Sequence, residues 1–214
     1  MTSVVYSLVC FAVREEAGHF KKLIRGRPGI EILLTGMGRR NAEKAVATAL
    51  DKDRPGRVIT AGFAGGLVPQ LAKGTVVFCS SNEIGLEPVL REAGARPVRF
   101  HCAESVLTTV QQKRLLHETT GADAVEMESH WIQSLCRGRN IPVATVRVIL
   151  DTANEDLMLD FNQFLTVDQR IDGRKLALAL LKAPSKIWAL LRLQKESAIA
   201  ARKLGDVLAK VLLT

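Results

Sequence analysis

Runs of consecutive apolar residues alternate with segments whose apolar positions recur every three or four residues, and this alternation predicts the fold. Residues 3–13 read as a strand, 15–25 as a helix, 30–35 as a strand and 40–50 as a helix with Asn41 near its start. A short strand follows at 57–61, which Gly62, Gly65 and Gly66 are expected to break, then a strand at 74–80 and a helix at 111–119. A strand at 124–127, a helix at 129–137 and a β-branched strand at 142–150 complete the series. The last strand is nearly continuously apolar, as expected at the centre of a sheet covered on both faces. Strands alternating with helices predict an α/β sheet with helices on both sides. After Asp151 the character changes: 154–156 is polar, 157–167 mixed, and 173–214 mostly helical with a break at Pro184.

Composition narrows the class. With 214 residues, 47% of them apolar, the chain can bury one sizeable core, which excludes a disordered protein. No apolar run is long enough to span a bilayer. Residues 4–13 lack a basic lead and run into Arg14-Glu15-Glu16, so they are expected to be a buried first strand rather than a signal peptide. Cys10, Cys79, Cys102 and Cys136 lie far apart with no CxxC pair and no histidine cluster, which predicts neither a metal site nor a disulfide framework and fits a reducing cytoplasm. The net charge of +8 is concentrated at one end, because residues 170–214 carry ten Lys/Arg against three acids. Charge alone does not choose among nucleic acid, anionic lipid and a solvated face.

Several motifs carry candidate chemistry. Thr35-Gly36-Met37-Gly38 lies between a strand and a helix, where backbone N–H groups can cradle an anion or form a plain tight turn. The later glycine and the acidic residue of a dinucleotide fingerprint are lacking. Ala61-Gly62-Phe63-Ala64-Gly65-Gly66-Leu67 places three glycines at a strand exit, suited to close approach of a ligand or to a bulge. Glu128, just before a helix, can accept two hydrogen bonds from a diol or complement the helix dipole. Asp151 ends an apolar strand, where open α/β sheets collect functional groups, and burial there raises a carboxyl pKa toward the range of a general acid. Asp-Thr-Ala-Asn is also ordinary turn chemistry. His130 reads as a core or interface residue.

Four of these segments in order, Leu33 through Gly38, Thr60 through Leu67, Ala124 through Glu128 and Val146 through Asp151, resemble the purine nucleoside phosphorylase and methylthioadenosine nucleosidase superfamily over roughly residues 3–165. Within it, Met127-Glu128-Ser129-His130, Leu116 through Gly121 and the tail Ala189 through Leu193 are most similar to the hopanoid-associated phosphorylase branch. The resemblance implies one α/β domain over 1–170 with a central mixed, partly barrel-like sheet, followed by a basic amphipathic helical extension over 171–214. It implies cleavage of a purine N-glycosidic bond, by phosphorolysis of an adenosylated hopane lipid, with hydrolysis of methylthioadenosine or adenosylhomocysteine as the alternative. A non-catalytic nucleoside-binding or membrane-surface protein is a further alternative.

By the same resemblance Asp151 is the general acid at purine N7, and Glu16 orients the nucleophile. Glu128 binds the 2′- and 3′-hydroxyls above Met127, and Val106 and Leu107 line the base pocket. Gly36, Phe63, Ala64 and Gly65 form the phosphate-or-water pocket. No cofactor or metal is implied, only phosphate as co-substrate; a homo-oligomer, at least a dimer, is implied and no nucleic-acid partner is. Phe63 and Leu150 stand where the superfamily usually has small hydroxyl residues, and the phosphorylases' GDPxR arginine has no evident counterpart, Arg14, Arg39 and Arg40 being the candidates. Ile187, Trp188, Leu190, Leu191 and Leu193 interleaved with Lys186, Arg192 and Lys195 have the composition of a helix lying on an anionic membrane, or of an ordinary packed helix.

Overall fold

The computed structural model describes residues 6–81, 84–157, 166 and 185–213. Its elements are β1 (Ser7–Phe11), α1 (Arg14–Leu23), β2 (Ile30–Leu34), α2 (Arg39–Lys52), β3 (Arg57–Gly66), β4 (Val76–Ser80) and α3 (Glu87–Glu92). These are followed by β5 (Arg96–Pro97), β6 (Phe100–Cys102), α4 (Val110–Thr120), β7 (Ala124–Glu126), α5 (Ser129–Arg137), β8 (Val143–Asp151) and α6 (Ser185–Leu212). The expected break at Pro184 and the predicted helix before it lie outside the described residues.

The sheet is mixed. Its main path runs β2-β1-β3-β8-β4-β5, with β2, β1, β3 and β8 parallel and β4 antiparallel to β8. At its far end β3 also pairs antiparallel with β7, through Gly65 and Gly66, and β7 pairs with β6. The glycines therefore do not break β3, as the sequence suggested. Parallel pairing to β8 carries the strand through Gly62 and Gly65, irregular only between Ala64 and Gly65, and antiparallel pairing to β7 carries it through Gly66. Sheet hydrogen bonds outweigh the weak strand preference of glycine because both neighbours are central strands.

Side-chain alternation along the strands divides the core. Val9 and Phe11 of β1 and Ala144, Val146 and Val148 of β8 face α1 and α6, packing on Phe20, Leu204 and Leu208. Leu8 and Cys10 point the other way, with Val58 and Val143, onto Ala42 and Val46 of α2 and Ile132 and Cys136 of α5. Arg147, on this second face of β8, is 1% exposed. A helix missed in the sequence, α3, adds Leu90 to the first cluster. At six residues it is too short for periodicity to announce it.

Candidate active site

Arg147 is the hub. One of its terminal nitrogens, Nη2, donates to Glu126 Oε2 at 2.7 Å, to Thr60 Oγ1 at 3.1 Å and to Glu128 Oε2 at 3.4 Å. Glu16 acts on the guanidinium through space, and both converge on Gly62, where an added Cβ would collide with Arg147 Nη1 and fall 2.5 Å from Glu16 Oε1. Gly62 thus leaves room for a β8 side chain and an α1 side chain that converge over β3. Three buried carboxylates, Glu16, Glu126 and Glu128, surround a single guanidinium.

Each carboxylate is held differently. Glu126 accepts from the Glu128 and Ser129 N–H groups and from the Ser129 hydroxyl, so it caps the start of α5. Glu128 is freed from that task although it occupies the N-cap position, and its Oε1 takes the Gly38 N–H at 3.0 Å instead. The Gly36–Gly38 turn, with both glycines at positive φ, therefore cradles a carboxylate of the protein itself. Glu16, at the third position of α1, reaches back to the Ala12 and Val13 N–H groups with Oε2 and accepts from Phe63 N–H with Oε1. Burial raises the pKa of both Glu16 and Glu128, and Arg147 pulls each back. Glu128 is raised further by Glu126 and Glu16, because one cation cannot neutralise three anions.

Asp151 stands apart from this hub. It is the last residue of β8, paired with Gly65, and its Oδ2 lies 2.6 Å from Lys113 Nζ. The Lys113 ammonium also donates to the Thr152 and Glu155 carbonyls at 2.7 and 2.8 Å. A Cβ on Gly65 would come within 3.1 Å of Asp151 Oδ2, so this glycine too makes room for a carboxylate. Burial raises the Asp151 pKa, with Lys113 opposing the rise.

The other predicted positions lie around these two centres. Ala64 and Gly65 are on β3 between them, and Phe63 packs against the first core cluster with its N–H on Glu16. Met127 is half-buried between Glu126 and Glu128, and Val106 and Leu107 lie in the β6–α4 connection, Leu107 against Leu67 and Val125. His130 is exposed, edge-on to Trp131, and is not a core histidine. Arg14, Arg39 and Arg40 are exposed; Arg39 pairs with Glu43 and lies over the Trp131 ring at 3.8 Å. Among the described residues no group of three or more His, Cys, Asp or Glu could hold a metal ion. A cavity of about 430 Å³ lined by Cys79, Ser80, Gln133, Arg137 and Asn140 lies at the opposite end of β8 and shares no residue with the carboxylates.

Sequence reasoning gave no role to Arg147, Lys113 or Glu126. The signal for Arg147 was present: a lone cation inside an otherwise apolar central strand has to be paired. Lys113 gave none, because on a polar helix it reads as one more exposed charge.

Comparison with known proteins agrees with this architecture. The phosphorylase superfamily model matches residues 10–97 and 89–182, and the chain belongs to that superfamily. It is 25% identical over 190 residues to a 5′-methylthioadenosine/S-adenosylhomocysteine nucleosidase of Shewanella piezotolerans, covering 72% of this chain and 82% of the relative. In fold it is similar to futalosine hydrolase of Helicobacter pylori, with TM-score 0.69, 14% identity, and 97% and 99% of the two chains covered. It is also similar to the methylthioadenosine/adenosylhomocysteine nucleosidase of Colwellia psychrerythraea solved with adenine, with TM-score 0.67, 14% identity, and 98% and 96% covered.

Proposed function

We propose that the protein is a nucleosidase that cleaves the N-glycosidic bond of a 5′-substituted adenosine by hydrolysis. The observation that carries this reading is the excess of buried carboxylate around Arg147. Three acids on one guanidinium favour a positively charged ligand, and a ribosyl group losing its base develops that charge in its oxocarbenium-like transition state. As the C1′–N9 bond breaks, its electron pair passes to the purine and Asp151 gives N7 a proton. Water bonds to C1′ and releases a proton to Glu16, whose raised pKa suits it to receive one. Glu128 holds the ribose hydroxyls over Met127, and Val106 and Leu107 face the base.

Water is favoured over phosphate, the nucleophile expected from the sequence. A phosphate dianion would have to sit beside the Glu16 carboxylate, while Arg14, Arg39 and Arg40 are exposed. The relatives support the same choice, since the nucleosidase similarity covers most of the chain. Adenine release from methylthioadenosine, measured with and without phosphate, tests it: equal rates are expected, and strict phosphate dependence would restore phosphorolysis. Glu128→Gln and Asp151→Asn variants turning over at the wild-type rate would remove the site assignment.

A lipid-linked substrate has one observation in its favour. Trp188, 77% exposed, shares the outer surface of α6 with exposed Leu191 and Ile199 and with Arg192, Lys195 and Arg202. Such a face suits an anionic headgroup layer. Among the described residues no helix is long and apolar enough to cross a membrane. Cosedimentation with phosphatidylglycerol vesicles, but not with phosphatidylcholine, is the expected result, and no binding to either would reduce the face to solvated surface.

A further inference from the structure

The single fully buried residue of α4 is a lysine. An amphipathic helix buries apolar residues, and a lysine side chain loses both rotamer freedom and hydration when it is taken inside. An ammonium has three N–H donors, and three acceptors stand around Lys113 Nζ between 2.6 and 2.8 Å: Asp151 Oδ2, the Thr152 carbonyl and the Glu155 carbonyl. Two of these belong to the turn that follows Asp151. The lysine therefore grips the carboxylate and the backbone that carries it as one unit. Glu155 is in turn tied by Lys73, at 2.7 Å, to Glu196 of α6, at 3.0 Å, which steadies the far side of that turn.

We infer that Lys113 is a positioning residue for Asp151: it occupies Oδ2, sets the plane of the carboxyl group and leaves Oδ1 to meet the leaving base. This rests on the nucleosidase reading above, in which Asp151 delivers the proton that lets adenine depart neutral. Lys113 touches no reacting atom and acts only through Asp151, so its effect follows how much the leaving group needs a proton. Adenine needs one, whereas 4-nitrophenolate leaves without.

The test is turnover of methylthioadenosine and of 4-nitrophenyl riboside by wild type, Lys113→Met and Lys113→Arg. Methionine fills much of the lysine volume without its charge or donors. Arginine keeps the charge but cannot place one nitrogen among the three acceptors. Both variants are expected to lose about 10²-fold in kcat on methylthioadenosine, with little change in KM, and less than about threefold on the nitrophenyl riboside. The groups facing Asp151 are Lys113 from α4, Glu155 from the following turn and Lys73 from the β3–β4 connection. With the lysine charge gone, burial is opposed only by Lys73. The alkaline limb of the Lys113→Met profile on methylthioadenosine is then expected at higher pH than in wild type.

Equal losses on the two substrates would make Lys113 a structural residue and overturn the inference, as would failure of both variants to fold. Wild-type protein that releases adenine while Lys113→Met does so at the same rate would overturn this inference alone. Wild-type protein that releases adenine from no 5′-substituted adenosine would overturn the nucleosidase reading with it.

Discussion

Glu16, Glu126 and Glu128 share one guanidinium in the middle of the sheet, whereas Asp151 has an ammonium largely to itself at the end of β8. In the first region the charges do not balance. Nη2 is divided among Glu126, Glu128 and Thr60, Nε is buried without a partner among the described residues, and the surplus is negative. In the second region every donor of the lysine has an acceptor. An unbalanced cluster keeps attraction in reserve for a cation, while a balanced one holds its carboxylate still. The two regions thus lend themselves to different work on one bond: stabilising the charge on the sugar, and presenting a proton to the base.

The largest effect expected from this contrast is on stability. Arg147→Met leaves three buried carboxylates without their cation and should cost about 3–5 kcal/mol in urea unfolding. Lys113→Met should cost less, because Asp151 is partly exposed and can be reached by water. Equal losses would show that the two regions do not differ as described.

Next come the glycines. Gly62→Ala puts a methyl into Arg147 Nη1 and 2.5 Å from Glu16 Oε1, so one of them has to move. A displacement of that size is expected to lower kcat about 10²-fold. Gly65→Ala meets Asp151 Oδ2 and Val125 Cγ1 at 3.1 Å, which a shift of a few tenths of an ångström relieves, and its loss in kcat should be clearly smaller.

A smaller effect concerns pH. Glu128 is raised in the folded protein from its ordinary 4.5, so the unfolded chain gives up this proton first as pH rises. Below 4.5 both states are protonated and the group is neutral in its effect; above 4.5 its contribution turns increasingly unfavourable until the folded protein ionises as well. Wild type should therefore lose stability relative to Glu128→Gln as pH rises from about 4 to neutrality, measured as the change in urea midpoint. A gap that widens in favour of wild type would reverse the sign and show Arg147 outweighing burial. The smallest effect is at the outer face of α6, where Trp188→Ala should change folding stability by no more than about 0.5 kcal/mol.

The order of strands and helices was largely readable along the chain, because each long element repeats its own apolar period and ends at a recognisable turn. Residues 129–137 and the strands ending in Leu34 and Ser80 are of this kind. Short pieces such as α3, β5 and β6 were not, since two to six residues hold no full period. The same limit applies to the site. Glu16 came only through the family resemblance, whereas Glu128 and Asp151 could be singled out as carboxylates at a helix start and a strand end, positions visible in local sequence. Which cation each would meet could not. Arg147 reaches Glu126 and Glu128 because β8 lies between β3 and β4 with its odd-numbered residues turned toward α5, and Lys113 reaches Asp151 because α4 packs beside the end of that strand.

The sequence by itself determined the alternating α/β elements, the superfamily and the acids worth watching, since these depend on residue type and near neighbours. Only the tertiary structure decided that Glu126 caps α5 and thereby leaves Glu128 for Gly38, that three carboxylates share one arginine, and that a buried lysine holds the fourth. Those outcomes depend on charges brought together from distant parts of the chain, where attraction acts through space and separation along the sequence carries no information about it.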